Sequence, residues 1–290
     1  VTFELQGDAA VGGVRAWAQR KKIPVYDEVR HQGVLRHVVV RCGAGGLQVV
    51  LVVRREPRGG FGDLVRRLRR QVSSCNGLVL NLNPARTNVV LGRRNRTLWG
   101  EDHLEEELFG LRFCLSVGSF FQVHTAQAAV LFDQVAAFLG PPAGPVVDAY
   151  CGVGVLGAVL ASRGHEVCGI ECVAQAVADA RAAVAANRLC GVTLHEGRVE
   201  RVLPRLVAGG LRPGAIVLDP PRKGCDPAVL DAARASGTQR IAYVSCHPGT
   251  LARDLDRLSA RGFRLVHLKA VDMFPQTAHT EVLAGLEAAL

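Results

Sequence analysis

The chain predicts a doubly wound α/β domain preceded by a smaller α+β portion. From residue 146 onward, short apolar runs alternate with helical stretches, which is typical of a parallel sheet covered by helices. Before residue 118, β-branched runs are separated by glycines and by Asn83-Pro84, which favours a small, mainly antiparallel sheet. We therefore predict domains at 1–118 and 119–290.

The first portion is expected to contain two helices, over 10–22 and 62–71. Its alternating runs predict strands over 35–41, 47–54, 78–82, 88–91 and 111–117. The segment Ser119-Phe120-Phe121-Gln122-Val123-His124 follows. Thr125 is the predicted N-cap of a helix that ends at the Gly/Pro cluster of 140–145.

In the second domain the pattern predicts five strands, over 146–149, 166–170, 192–195, 215–218 and 240–245. Helices are expected at about 154–163, 173–187, 198–208, 226–235 and 250–258. Two extended runs, 263–271 and 280–286, predict a terminal hairpin. A doubly wound sheet that ends in a strand hairpin is the arrangement of methyltransferases and departs from that of nicotinamide-binding domains.

Composition narrows the class of protein. The 290 residues are 49% hydrophobic, which is ample for a core, and no run reaches the roughly 18 apolar residues that a membrane helix needs. The nine cysteines form neither a CxxC pair nor a Cys/His cluster with zinc spacing, so we expect reduced thiols, a cytoplasmic location and no metal. No membrane association and no obligate protein partner are indicated.

Charge is distributed unevenly along the chain. Residues 1–118 carry 19 Lys/Arg against 11 Asp/Glu, whereas residues 119–290 carry 16 against 15. A biased genome explains the preference for Arg over Lys but leaves the asymmetry unexplained. A basic portion attached to a near-neutral one favours nucleic acid as a partner.

A glycine-rich turn follows the first strand of the second domain, at Gly152-Val153-Gly154. Such a turn lets the backbone approach a ligand, and Glu171, at the end of the next strand, is placed to accept hydrogen bonds from ribose hydroxyls. The pattern indicates an adenosine-containing cofactor. By itself it does not separate NAD from S-adenosylmethionine, and a turn required only by packing is the alternative.

Two later strand ends distinguish these cofactors. Asp219-Pro220-Pro221 resembles the turns of base-modifying methyltransferases, and Cys246 follows a buried strand at the same edge of the sheet. A thiol that adds to C6 of a pyrimidine makes C5 nucleophilic toward a sulfonium methyl group, and a base must then remove the C5 proton. The start of a helix beside Cys246 predicts a lowered thiol pKa. His279 and Glu281 are the candidate bases.

These motifs resemble the RNA uracil-5-methyltransferase family (TrmA/RlmD type), which makes 5-methyluridine in tRNA or large-subunit ribosomal RNA. The likeness covers about residues 35–290 and rests on five motifs in order: Phe120-Phe121-Gln122-Val123, Gly152-x-Gly154, Asp219-Pro220-Pro221-Arg222, Ser245-Cys246-x-Pro248 and Phe274-Pro275-x-Thr277-x-His279-x-Glu281.

The resemblance implies that Cys246 is the nucleophile and that Glu281, rather than His279, is the base. It implies that S-adenosylmethionine is held by Gln122, Tyr150, Glu171 and Asp219.

The resemblance also guides the choice of substrate. Residues 81–88 resemble the ribosomal branch of bacterial relatives, which favours 23S ribosomal RNA, with the T-loop uridine of tRNA as the alternative. Three departures stand out: His247 replaces the family's usual asparagine, Val155 occupies a loop position that is often polar, and the N-terminal RNA-binding barrel and four-cysteine iron–sulfur pattern of some relatives are not recognisable. The rival classes are a cytosine-5 or amino-group methyltransferase and a catalytically silent RNA-binding module.

Overall fold

A computed structural model describes residues 3–122 and 124–289 of the chain. The chain divides into two compact units. The first comprises residues up to 107 together with 114–118, and the second comprises 108–113 together with 119–290. No helix in the described ranges is long and apolar enough to cross a membrane.

The elements up to residue 116 are, in chain order, α1 (Phe3–Arg20), β1 (Leu35–Gly43), β2 (Gly46–Val53), α2 (Gly62–Gln71), β3 (Cys75–Leu82), β4 (Arg94–Gly100), β5 (His103–Leu108) and β6 (Leu111–Ser116).

The first unit is built on a four-stranded sheet in the order β1-β2-β3-β4. The β1–β2 and β3–β4 pairs are antiparallel, and β2 and β3 run parallel because α2 connects them. The apolar stripe of α2, at Leu64 and Leu68, is buried in a core that also contains Trp17 of α1 and residues of β2 and β3. Burial of this stripe explains why an arginine-rich sequence forms a stable helix here.

The prediction of a strand over 88–91 is wrong. This segment is a loop, closed by hydrogen bonds from the Asn83 side chain to the carbonyls of Val89 and Val90. The fourth strand is β4, whose arginines concealed it because an exposed edge strand has no apolar alternation to detect.

From residue 125 the elements are, in chain order, α3 (Thr125–Leu139), β7 (Val146–Ala149), α4 (Val155–Ser162), β8 (Val167–Glu171), α5 (Ala174–Ala186), β9 (Val192–Glu196), α6 (Val199–Ala208), β10 (Ala215–Leu218), α7 (Pro227–Ala235), β11 (Arg240–Ser245), α8 (Pro248–Ser259), β12 (Phe263–Val271) and β13 (Glu281–Ala288).

The second unit contains a seven-stranded sheet in the order β12-β13-β11-β10-β7-β8-β9. The strands pair in parallel from β11 to β9, and β13 is antiparallel to both of its neighbours. The predicted doubly wound class and the terminal hairpin are therefore confirmed. The chain reverses its winding between β7 and β10, the position where open α/β sheets bind their ligands.

One predicted helix start differs by a residue. His124, not Thr125, caps α3, since its side chain accepts the backbone N–H of Gln127. The prediction overlooked an imidazole nitrogen as an acceptor because serine, threonine and aspartate are the usual caps.

Candidate active site

One edge of the sheet, formed by the carboxyl ends of four parallel strands and the amino end of the antiparallel strand β13, carries a row of polar residues, which we call the strand-end row. In strand order these are Glu281 at the start of β13, Cys246 after β11, Asp219 after β10, Tyr150 after β7 and Glu171 at the end of β8. Because neighbouring strands are separated by about 4.8 Å, the row spans roughly 19 Å of one sheet edge. The topology thus brings residues 131 positions apart in sequence to one edge of the sheet.

Cys246 directly follows β11, and Glu281 is the first residue of β13, the strand that pairs antiparallel with β11. The last pair of this register joins Ser245, just before Cys246, to Val282, just after Glu281. The two residues therefore lie at the same end of the strand pair, and the carboxyl of Glu281 is close enough to affect the thiol of Cys246. Glu281 is buried, with 4% of its surface exposed, and Cys246 is half-buried.

The thiol of Cys246 has a raised pKa, which contradicts the sequence prediction. Burial is the largest cause, and the carboxyl of Glu281 adds to it. The guanidinium of Arg222, hydrogen-bonded to the thiol, offsets part of the rise. Cys246 precedes the first residue of α8, and desolvation beside an acidic neighbour outweighs the favourable helix dipole there.

The two carboxyl groups near this thiol also have raised pKa values. Burial raises the pKa of Glu281 to about 7. Burial, followed by the charges of Glu281 and Asp148, raises the pKa of Asp219 to about 8. At neutral pH Asp219 is therefore mostly protonated and is a hydrogen-bond donor, while Glu281 is poised to accept or release a proton.

The glycine-rich turn has an open cradle. Gly152 and Gly154 have φ angles of 55° and 74°, in the left-handed region that glycine adopts without strain. A Cβ at Gly154 would approach the Cβ of Ala180 to 3.0 Å, whereas a Cβ at Gly152 would meet nothing within 4 Å. Gly154 thus permits close packing of α4 on α5, and Gly152 faces free space at the switch point.

Glu171 fastens this turn to the end of β8. One carboxylate oxygen accepts the N–H of Gly152 at 3.1 Å, and the other accepts the N–H groups of Cys172 and Val173. A carboxylate offers about four acceptor directions, so capacity remains for a ligand hydroxyl.

In Asp148, buried behind the turn, one carboxyl oxygen has no hydrogen-bond partner, and burial raises the pKa of this carboxyl group to about 7. The open cradle and free acceptor capacity fit an adenosine group.

Tyr150 and Gln122 occupy different settings. Tyr150 has a φ of 66°, unusual for a residue with a side chain, and directs a half-buried ring against the core beneath the sheet edge. Gln122 is half-buried in the segment before α3, and Val123 of the same motif lies outside the described residues. That segment is fastened by Ser119, whose hydroxyl donates to Asp179 of α5 at 2.5 Å. No strand end identifies Gln122, so only the resemblance singled it out.

His247 has a structural task. Its Nδ1 accepts the backbone N–H of Thr250 at 3.1 Å, which makes His247 the N-cap of α8. Asparagine is among the best N-cap residues, so the imidazole does here what asparagine is able to do.

A buried carboxylate that the sequence did not reveal holds Arg222 in place. Asp254 of α8 is fully buried and accepts hydrogen bonds from the backbone of Cys225 and the hydroxyl of Tyr243, both at 2.8 Å. Thr250 donates to the carbonyl of Arg222 at 3.1 Å. Arg253 of the same helix donates to the carbonyl of Lys223 at 2.8 Å. Helix α8 is thus bonded to the 222–225 turn at three points, which sets the guanidinium beside the thiol. The signal available in the sequence was a polar residue, Asp254, at a position on the apolar face of a helix.

The part of the chain that the structure describes contains one group of three side chains with metal-ligating atoms close together. These are His103, Glu105 and Cys114 of the first unit, whose ligand atoms lie within 4.8 Å of one another. Cysteine spacing did not predict the group because its members come from β5 and β6. Glu105 and Cys114 are exposed, and we assign no function to the group.

Known proteins resemble this chain in sequence. The sequence profile of the tRNA (uracil-5-)-methyltransferase family matches residues 91–288. Uncharacterized RNA methyltransferases of Halalkalibacterium halodurans and Listeria monocytogenes are each 39% identical over 285 and 286 residues, 97% of this chain and 62% of theirs. The chain thus spans less than two thirds of the length of these relatives.

One solved structure is similar over nearly the whole chain. The tRNA (uracil-54, C5)-methyltransferase of Pyrococcus abyssi, in complex with S-adenosyl-L-homocysteine, matches with a TM-score of 0.81 and 27% identity, over 96% of this chain and 65% of its own.

The second unit is a doubly wound domain. Its glycine-rich turn, the expected cofactor site, lies at the same sheet edge as the thiol of Cys246 and the carboxyl of Glu281. The chain belongs to the tRNA (uracil-5-)-methyltransferase family. The resemblance inferred from the motifs is confirmed, and the family and the solved structure support the predicted RNA methyltransferase class and cofactor.

Proposed function

We propose that this chain carries the active site for S-adenosylmethionine-dependent methylation of C5 of a uridine in structured RNA. The observation that supports this most directly is that Cys246 and Glu281 lie together at one end of the β11–β13 pair, at the same sheet edge as the cofactor turn. An amino-group methyltransferase has no use for such a pair, because its substrate nitrogen is already nucleophilic.

In the proposed reaction the Cys246 thiol loses its proton to solvent and its sulfur bonds to C6 of the uracil. The electron pair displaced from the C5–C6 double bond moves to C5, which bonds to the methyl group as the methyl–sulfur bond of the sulfonium breaks. The bound cofactor would supply that methyl group in electrophilic form and leave as the neutral thioether S-adenosylhomocysteine. Glu281 then takes the proton from C5. The Sγ–C6 bond breaks and returns the sulfur as a thiolate, so the base leaves with a methyl group in place of its C5 hydrogen.

The electrostatics of the pair support this order of proton transfers. A carboxyl with a pKa of about 7 is a better proton acceptor than an ordinary glutamate, yet is still deprotonated in a useful fraction of molecules at neutral pH. Arg222, hydrogen-bonded to the thiol, opposes the effect of burial and favours the thiolate.

We propose Gln122, Tyr150, Glu171 and Asp219 as the residues that hold S-adenosylmethionine. Glu171 retains acceptor capacity for the ribose hydroxyls, and the open space at Gly152 admits the backbone-proximal part of the ligand. Mostly protonated at neutral pH, Asp219 is able to donate a hydrogen bond at the boundary between cofactor and base.

We further propose that the basic portion, residues 1–118, binds the RNA. The target uridine must leave its stack, because addition at C6 requires access to the face of the base.

The resemblance of residues 81–88 to the ribosomal branch favours 23S ribosomal RNA as the substrate. The family description and the archaeal structure name tRNA, which is the alternative substrate. Nine free thiols, several of them buried, support a reducing, cytoplasmic location.

Methylation in the presence of a trap tests the mechanism. RNA that contains 5-fluorouridine offers fluorine instead of a C5 proton, so the adduct cannot resolve. We expect a covalent protein–RNA complex on a denaturing gel with the parent chain and none with Cys246→Ala. If normal RNA is methylated and no adduct forms with the fluorinated RNA, addition at C6 is refuted.

The substrate is tested in cells. Mapping of 5-methyluridine in 23S ribosomal RNA and tRNA, with and without this gene, should show loss at a ribosomal site. Loss at the tRNA T-loop would select the alternative. An unchanged map, together with the absence of S-adenosylmethionine binding by calorimetry, would favour a silent RNA-binding module.

A further inference from the structure

The first unit contains an open groove between α2 and the edge strand β4. The cavity measures about 540 Å³, within the range of sites that hold small organic ligands. It is lined by one aromatic residue at each side, Phe61 before α2 and Trp99 on β4, and by Arg66 and Arg96. We call it the arginine–aromatic groove.

The register of β4 explains why the groove exists. Arg96 pairs with Leu80 and Trp99 with Leu78, and both leucines belong to the core beneath α1 and α2. The side chains of Arg96 and Trp99 therefore project on the helix-covered face of the sheet, beyond the edge of α2. No helix covers the edge strand β4, so a concave strip of surface remains between β4 and α2.

Arginine and aromatic side chains meet on both walls of this strip. The guanidinium of Arg69 lies 5.6 Å from the centre of the Trp99 ring, and that of Arg96 lies 5.9 Å from the centre of the Phe61 ring. Trp99 is half-buried, and the Phe61 ring is stacked on the core residue Trp17 at 5.6 Å. The rings are therefore held in place by the core rather than free to collapse together.

The arginines of the groove are exposed but paired with carboxylates. Arg66 and Arg96 form ion pairs with Asp63 and Glu56, Glu56 itself lines the groove, and the two arginine side chains remain 75% and 53% exposed. Exposed pairs of this kind contribute about 0–1 kcal/mol, so a phosphate is able to compete with the carboxylates for the two guanidinium groups. The loop beside them contains Gly59 and Gly60, where a Cβ would meet nothing within 4 Å, so the backbone is accessible.

We propose that the arginine–aromatic groove binds a single-stranded segment of the RNA substrate, with an unstacked base against Trp99 and its flanking phosphates on Arg66 and Arg96. This inference rests on the proposed function, which supplies RNA as the substrate class. Aromatic faces combined with arginines that follow a backbone are the means by which proteins hold single strands without reading sequence. The site lies outside the strand-end row and gives the first unit a defined role in substrate binding.

Tryptophan fluorescence provides a direct test. The chain has two tryptophans, Trp17 and Trp99, so Trp17→Phe leaves Trp99 as the only emitter. We expect oligo(A) of about ten ribonucleotides to quench this emission, because a base stacked on an indole quenches it. Inorganic polyphosphate, which has no bases, should bind more weakly and quench little. Equal quenching by both would refute a base site.

Charge variants locate the phosphate contacts. In the Trp17→Phe background, Arg66→Ala and Arg96→Ala should each weaken oligo(A) binding several-fold and lower the slope of log affinity against log salt by about 0.7. Arg30→Ala is the matched control, since Arg30 is 78% exposed and paired with Asp27 three positions away, as Arg66 is with Asp63. If all three variants bind alike, or if Arg30→Ala has the larger effect, the groove assignment is wrong.

A third measurement separates this inference from the proposed function. With an RNA that the chain methylates, Arg66→Ala and Arg96→Ala should raise KM for RNA several-fold while calorimetric binding of S-adenosylmethionine is unchanged. Methylation with an unaltered KM would overturn the groove and leave the proposed function intact. Quenching by oligo(A) in a chain that methylates no RNA would retain the groove and overturn the enzyme activity.

Discussion

At the scale of single residues, burial governs the chemistry of the candidate active site. Cys246 and Glu281 lie at the same end of the β11–β13 pair, and each has a raised pKa because little water solvates its charged form. The sequence prediction of a lowered thiol pKa considered the helix alone. Desolvation and the neighbouring carboxyl decide the direction, and Arg222 is the main opposing influence within the protein.

Activity should depend on the ionisation of Glu281. Because its pKa is about 7 and a base acts in its deprotonated form, kcat/KM should fall at least about tenfold for each pH unit below 7, and more steeply where the thiolate fraction of Cys246 also limits the rate. The measurement is the initial rate of methyl transfer to RNA between pH 5.5 and 8.5. A rate that is flat across pH 5.5–7 would exclude Glu281 as the proton acceptor in the free protein.

The same shift predicts how stability depends on pH. The pKa of Glu281 is higher in the folded chain than the ordinary 4.5, so its stabilising effect is full below about pH 4.5 and is lost as pH rises through 7. Glu281→Gln should therefore raise the free energy of unfolding at pH 8, on the order of 3 kcal/mol, and the gain should fall to about 1 kcal/mol or less near pH 5. Urea unfolding at the two pH values measures it, and a gain of equal size at both would contradict this account.

The cap residue His247 provides a third prediction at this scale. His247→Ala should lower the free energy of unfolding by about 1 kcal/mol, since the N–H of Thr250 loses its partner, whereas His247→Asn should change it little. Both variants are compared by urea unfolding and by kcat. Equal losses in the two variants would show that position 247 contributes something other than the cap.

At the scale of elements, α8 organises the active site by holding the turn after β10. Asp254 accepts hydrogen bonds from the backbone of Cys225 and from Tyr243, and Gly224 allows the close approach, since a Cβ there would lie 2.3 Å from a carboxylate oxygen of Asp254. The turn that carries Arg222 is therefore fixed by a helix that follows it in sequence by about 25 residues.

Asp254→Ala should destabilise the second unit by about 3 kcal/mol or more, because it leaves buried donors without an acceptor. Asp231→Ala is the control: Asp231 is an exposed helical aspartate, paired with Arg261 at 2.7 Å, and its loss should cost less than about 1 kcal/mol. Thermal unfolding of both variants measures the difference. Similar Tm values for the two would refute the role given to Asp254.

At the scale of the whole molecule, the chain combines a basic unit with a doubly wound unit that belongs to a known family. The excess of arginine lies in the first unit, and the cofactor turn and the thiol lie in the second. This division matches the proposed reaction, in which RNA must be held while one of its bases reaches the half-buried thiol of Cys246.

Binding of the cofactor product should stabilise the molecule. S-adenosylhomocysteine at about 100 times its Kd should raise the free energy of unfolding by about 2.7 kcal/mol through mass action. Glu171→Ala should abolish the corresponding rise in Tm without removing the fold, since the turn keeps its backbone bond from Cys151 to Ile170. An undiminished rise in Glu171→Ala would exclude Glu171 from the cofactor site.

Local pattern predicted most of the second unit. Buried parallel strands appear in the sequence as short apolar runs, and each of the five, together with the terminal hairpin, is present. The first unit was predicted less well. Strand β4 is rich in arginine and was missed, and the apolar residues of 88–91 belong to a loop closed by Asn83. Exposed edges leave little periodic signal, because only one of their faces contacts a core.

The sequence by itself determined the doubly wound class, the terminal hairpin and the position of each site motif along the chain, because all of these depend on local spacing. Tertiary structure alone decided that Cys246 and Glu281 come together at one end of the β11–β13 pair, that Asp254 holds the Arg222 turn, and that an uncovered edge strand forms a groove beside α2. It also reversed the expected direction of the Cys246 thiol pKa. Register, burial and long-range hydrogen bonds join residues far apart in the chain, and no local pattern records which of them will meet.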